Sequence, residues 1–110
     1  MLVSAFRWRQ IEMTTVHLSG IIDHRTATET RGQLLAELRF EDVLQIDLSD
    51  VTWIDTSGLA ILVEVYHFAQ MVGREVRLIN VSHDVWKRIC LVHLEGVFAL
   101  RDDYENRTIH

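Results

Sequence analysis

The segment Asp55-Thr56-Ser57-Gly58 sets a carboxylate, two hydroxyls and a residue without a side chain in consecutive positions, directly ahead of the apolar run Leu59-Ala60-Ile61-Leu62-Val63. A side-chain oxygen at such a place can accept hydrogen bonds from the N–H groups that a helix leaves free in its first turn, so Asp55 or Thr56 is expected to cap a helix. Gly58 would let another backbone come close to that turn. Asp23 is a second carboxylate of the same kind, ahead of a helical pattern that begins near Thr26. Taken alone, each is an ordinary turn or cap. Whether they do chemistry depends on what surrounds them.

Other reactive side chains form no constellation. The six histidines, His17, His24, His67, His83, His93 and His110, fall on separate predicted elements without the spacing that a metal site favours, and no metal is expected. Cys90 has no base that can be named beside it and reads as a small apolar side chain. There is no G-x-x-x-x-G-K-[ST] phosphate loop and no G-x-S-x-G elbow, so an enzyme is not expected and no cofactor is assigned.

The chain has 110 residues, 48% of them hydrophobic, enough for one core and one domain spanning 1–110. The stretch from about 102 to 110 is a polar tail with little to bury. Sixteen acidic residues against eleven basic ones give a net charge of −5, which argues against nucleic acid as a partner. One cysteine cannot make an internal disulfide, and the start of the chain lacks a signal-peptide pattern, so the cytoplasm is the expected compartment. The apolar runs are far short of the roughly 20 residues that a spanning helix needs, so direct membrane insertion is not expected.

Periodicity supplies the elements that must position the two turns. Thr14 to Ser19 alternates polar and apolar as a strand with one covered face does, and Gly20 is expected to end or bend it. A weaker strand over Phe6 to Ile11 would pair with it as a hairpin. Ala27, Thr30, Leu34 and Leu38 mark the buried face of a helix from Thr26 to Arg39. Leu44, Ile46 and Leu48 alternate with Gln45, Asp47 and Ser49, which predicts a central strand with its polar side away from the core. The second helix runs to about Val72 and stops at Gly73; only Glu64, His67 and Gln70 interrupt its apolar sequence, so it wants either deep burial or a partner. Val76 to Asn80 is a further strand, and Ser82 caps a short helix with Val85, Ile89 and Val92 on one face. Phe98-Ala99-Leu100 is a candidate last strand. The whole is an α/β fold with a mostly parallel sheet of four to five strands and helices mainly on one face.

The run Ile46-Asp47-Leu48-Ser49-Asp50-Val51-Thr52-Trp53-Ile54-Asp55-Thr56-Ser57-Gly58-Leu59 closely resembles STAS domains, the fold of anti-sigma factor antagonists such as SpoIIAA. The turn Gly20-Ile21-Ile22-Asp23, ahead of its helix, resembles the second motif of that family. The element order agrees over most of the chain. The resemblance implies a module that binds a partner through Asp23, Asp55, Thr56, Ser57, Gly58 and Leu59. It implies that the hydroxyl after the motif aspartate, Thr56, is the phosphoacceptor, with Ser57 as the alternative. The implied partners are an anti-sigma factor that is also a serine kinase, and a Ser/Thr phosphatase. The unmodified chain would bind the kinase and free a sigma factor; the phosphorylated chain would let go.

Ile21 and Ala60 differ from the residues common at these positions in antagonists. The run from Asp55 to Leu62 also resembles STAS subunits of bacterial ABC lipid transporters, which bind the ATPase subunit and support assembly. STAS tails of anion transporters are a third relation. For a switch, the chemistry is favourable: a phosphate on Thr56 would meet the free N–H groups and the positive end of a helix dipole. It would add about −1.5 to −2 charge beside Asp55. The sequence leaves open whether Leu59 and Leu62 face a partner or the core.

Overall fold

The computed structural model describes residues 13–92. Its elements are β1 (Met13–Ile22), α1 (Ala27–Leu38), β2 (Val43–Ile54), α2 (Thr56–Met71), β3 (Glu75–Ile79) and α3 (His83–Leu91). The strands form a sheet in the order β1-β2-β3, and both pairings are parallel, with Met13 opposite Val43 and Val43 opposite Glu75. Parallel neighbours need a crossover, and α1 and α2 supply the two. The two further strands expected around Phe6 to Ile11 and Phe98 to Leu100 lie outside the described residues, as does the tail from 102.

One sheet face makes the core. Leu44, Ile46 and Leu48 are fully buried, with Val16, Leu18, Val76 and Leu78 beside them, and Leu34, Leu38, Leu62, Val65 and Ile89 come down from the helices. The other face is polar: the Thr15 hydroxyl donates to Gln45, His17 meets Asp47, and Arg77 pairs with Glu75. The alternation read from the sequence therefore sorts the two faces as expected for a sheet covered on one side.

That alternation breaks in the upper half of β2. Two register shifts, between His17 and Ser19 and between Gly20 and Ile21, leave β2 with extra residues opposite β1. Burial moves from Leu44, Ile46 and Leu48 to Val51 and Ile54, and Trp53 turns outward, half exposed. Bulges re-aim side chains in this way at the ends of strands. Gly20 bends β1 without ending it: its φ of +73° is left-handed, and the strand continues to Ile22.

The first helix matches its expected limits, with Thr26 and Arg39 as flanking residues. Along α2, the side toward the sheet is Leu59, Leu62, Val65 and Ala69, while Glu64, His67 and Gln70 are exposed. The helix is one-sided and not deeply buried; Ile61, Val63 and Tyr66 are partly covered, and Phe68 and Met71 reach solvent. Gly73 follows it with φ +75°, the expected left-handed stop. In α3, Val85 and Ile89 are buried as expected, but Val92 lies past the helix end and is 43% exposed, while Trp86 is buried with the other two.

Candidate functional site

Strands β1 and β2 end side by side, and the two predicted turns meet there. The Asp55 N–H donates to the Ile22 carbonyl at 3.1 Å, which ties the start of α2 to the end of β1. Asp55 has an extended backbone (φ −102°, ψ −172°) and its Oδ1 accepts from the Gly58 N–H at 3.0 Å, so it is the helix cap. Its carbonyl accepts from the Leu59 N–H at 2.9 Å, the first bond of the helix.

Gly58 is where the close approach occurs. A Cβ built there would stand 2.6 Å from Ile54 Cγ1, 2.8 Å from Ile22 Cγ2 and 2.8 Å from the Ile22 carbonyl oxygen. The backbone that comes near is thus the chain's own, and glycine is needed so that β1 can end against the first turn of α2. Thr56 is exposed and Ser57 half-buried, on the first two positions of the helix. Their N–H groups have no intrahelical acceptor by position, and the dipole adds partial positive charge around both hydroxyls. Leu59 is 4% exposed and Leu62 1%, so both side chains belong to the core.

Asp23 heads the neighbouring turn. Its carbonyl accepts from the Thr26 and Ala27 N–H groups at 3.1 and 2.8 Å, and its own N–H donates to the Thr26 hydroxyl at 3.0 Å. Its carboxylate is already engaged: Oδ1 accepts from the Arg25 N–H, and Oδ2 accepts from Arg25 Nε and Nη2 at 3.2 and 3.0 Å. The guanidinium bonds, and then the backbone bond, hold the Asp23 carboxyl below its ordinary range. His24, between them, is exposed.

Sequence reasoning missed Arg25. Its signal was modest, a basic residue two places after an aspartate in a turn. It also missed two features with no local signal. Asp47 is buried on the polar sheet face, where its carboxylate accepts from the Ser49 N–H at 2.8 Å and from Asn80 Nδ2 at 3.2 Å and lies 3.1 Å from His17 Nδ1. Arg88 lies over the Trp53 ring, its guanidinium carbon 3.4 Å from the ring centroid, across a gap in sequence that no spacing rule spans. Cys90 is partly exposed. Among the described residues, no group of three or more His, Cys, Asp or Glu is placed to hold a metal ion, and no helix is long and apolar enough to cross a membrane.

A parallel α/β sheet with helices on one face and a D-T-S-G cap at the joined strand ends defines a class of small α/β domains. The chain belongs to the STAS domain family, whose model matches residues 9–106. A protein from Paenibacillus polymyxa named anti-sigma F factor antagonist is 27% identical over 93 residues, which are 83% of this chain and 77% of that protein. Among solved structures, an anti-sigma factor antagonist from Mycobacterium paratuberculosis aligns with a TM-score of 0.68 at 25% identity, over 90% of this chain and 87% of that one. The Bacillus cell fate determinant SpoIIAA in its phosphorylated form aligns with a TM-score of 0.63 at 17% identity, over 92% of this chain and 95% of that one.

Proposed function

We propose that this chain is an anti-sigma factor antagonist that binds a kinase-type anti-sigma factor through the joined turns and releases it when Thr56 or Ser57 is phosphorylated. The observation that carries the reading is the Asp55-Thr56-Ser57-Gly58 cap, with an exposed hydroxyl on the first turn of α2. Kinship with a protein named anti-sigma F factor antagonist, and the existence of SpoIIAA in a phosphorylated form, support it. The binding surface comprises Asp23, Asp55, Thr56 and Ser57, with Gly58 and Leu59 holding the turn from beneath. Thr56 is the more open of the two hydroxyls. The module binds and switches; the kinase partner supplies ATP, a Ser/Thr phosphatase resets the switch, and the cycle runs in the cytoplasm.

The phosphate can be held without disturbing the helix, because the first-turn N–H groups donate to an anion. Its charge adds to Asp55 and Asp23 on the same surface, and desolvating that surface against a partner becomes costly. A loss of about 3 kcal/mol weakens binding more than a hundredfold, which suffices for a switch.

The test is capture of partners from the native cell with wild type, the double variant Thr56→Ala/Ser57→Ala and each single aspartate variant, with mass spectrometry of the bait. A kinase-like anti-sigma factor retained by wild type and the alanine variant, but lost with Thr56→Asp or Ser57→Asp, is the expected result, with phosphate on one of the two hydroxyls of wild type. Steady recovery of an ABC transporter ATPase by every bait, without a kinase, would replace this reading with that of a transporter assembly subunit.

A further inference from the structure

Next to the cap, β2 has an unpaired edge. β3 accompanies β2 only from Val43 to Asp47, while β1 runs beside it to Ile54. Among the described residues, the stretch from Leu48 to Ile54 therefore has no strand paired on the side away from β1, and α3 packs against the strand. Between them lies a cleft of about 360 Å³, lined by Thr52, Trp53, Asp84, Lys87, Arg88 and Leu91, among others. Trp53 is 47% exposed and Leu91 76%.

The cations at this cleft differ from most of the other described arginines. Arg25 pairs with Asp23, Arg31 with Glu64 and Arg77 with Glu75, and Arg74 donates to the Glu41 carbonyl. Among the described residues, the side chains of Lys87 and Arg88 have no hydrogen-bond or ion-pair partner, as that of Arg39 has none, although Asp84 stands one turn away on the same helix and the chain as a whole is acidic. Arg88 is nevertheless held in place, because it stacks on Trp53. A guanidinium over an aromatic ring keeps its N–H donors in its own plane, directed outward from its rim and suited to a carboxylate.

We propose that this cleft docks an extended, carboxylate-bearing segment of the protein partner along the free edge of β2, with an acidic side chain received by Arg88 and Lys87. Strand addition at an open edge provides main-chain hydrogen bonds, and side-chain pockets beside the edge provide selectivity. Unpaired cations at its rim select the acidic partner. The inference deepens the proposed function: Ile54, which lines the cleft, directly precedes Asp55 and Thr56 in the chain, so a phosphate on the cap would repel an acidic segment docked beside it. That gives the switch its sign.

The test uses the full chain and two synthetic peptides, acetyl-Val-Glu-Val-Glu-Val-amide and its lysine counterpart, followed by NMR shifts of the backbone and the Trp53 indole. The acidic peptide should move Thr52, Trp53 and residues 84–91, with a Kd in the range of about 1 mM, and Arg88→Gln/Lys87→Gln should weaken it at least about fivefold. The lysine peptide should bind more weakly than the acidic one. Peptide binding by wild type without any anti-sigma partner in the capture experiment would sink the proposed function and keep the cleft. Equal binding of both peptides, shifts centred elsewhere, or no shift up to about 10 mM would overturn the proposal. So would nuclear Overhauser contacts to Trp53 from the chain's own residues 93–110, or from a second copy, in the free protein.

Discussion

At the scale of single residues, Asp47 shows how a charge can sit in a sheet without an arginine or lysine beside it. The Ser49 backbone N–H, then the Ser49 hydroxyl and Asn80, hold its carboxyl below the ordinary value of 3.8, with the nearby His17 adding to this. Asn80 reaches it from a left-handed turn with φ +55°, a conformation that asparagine tolerates better than most residues. A carboxyl whose folded pKa is depressed contributes stability above its unfolded pKa and loses it as pH falls through the folded value. Wild type should therefore lose urea resistance as pH drops through and below 3.8. Asp47→Asn should be weaker than wild type at pH 7 and show a smaller decline over that acid range. Equal acid slopes for the two proteins would mean that other carboxyls carry the dependence. Nothing in the sequence singled out Asp47 beyond its place on the polar side of a strand, because its three partners come from three separate segments.

At the scale of elements, periodicity was a good guide wherever one face is covered and geometry is regular. Both longer helices and the lower half of β2 follow it, as do the caps at Asp55 and Ser82. It was less useful at the upper end of β2, where bulges move Trp53 to the outside, since a local pattern does not reveal which partner strand lacks the extra residue. Two glycines on helices separate local propensity from packing. Gly32 in α1 has open space where a Cβ would go, so Gly32→Ala should stabilise the fold by about 0.5–1 kcal/mol. Gly58 in α2 would gain the same propensity, but its Cβ would collide with the Ile22 backbone. Moving a strand end costs more than propensity returns, so Gly58→Ala should lose about 1–3 kcal/mol. Paired urea titrations measure both, and opposite signs are the expected result. If Gly58→Ala were neutral, the two turns would be less tightly joined than the Asp55–Ile22 bond indicates.

At the scale of the whole molecule, the strand ends gather what the sequence had kept apart. Asp23 and Asp55 lie 32 positions from one another, yet the bond from Asp55 to Ile22 makes their turns neighbours. The sequence motifs announced both turns, while the pairing of Asp23 with Arg25 and the cleft beside Trp53 emerge only once three dimensions bring side chains together. The core lies beneath this surface: Ile22, Ile54, Leu59 and Leu62 are buried, and Thr56 is exposed above them. A switch built this way should change affinity without changing the fold. A negative charge in the first turn of a helix is favourable by about 0.3–1 kcal/mol, partly offset here by Asp55 next to it. Thr56→Asp and Ser57→Asp should thus melt within a few degrees of wild type, about what 1 kcal/mol produces in a domain of this size. Their circular dichroism spectra should be unchanged while partner capture falls. A large drop in melting temperature would instead mean that charge at the cap acts by loosening the joint between β1 and α2, and that release of the partner is a consequence of unfolding at that joint.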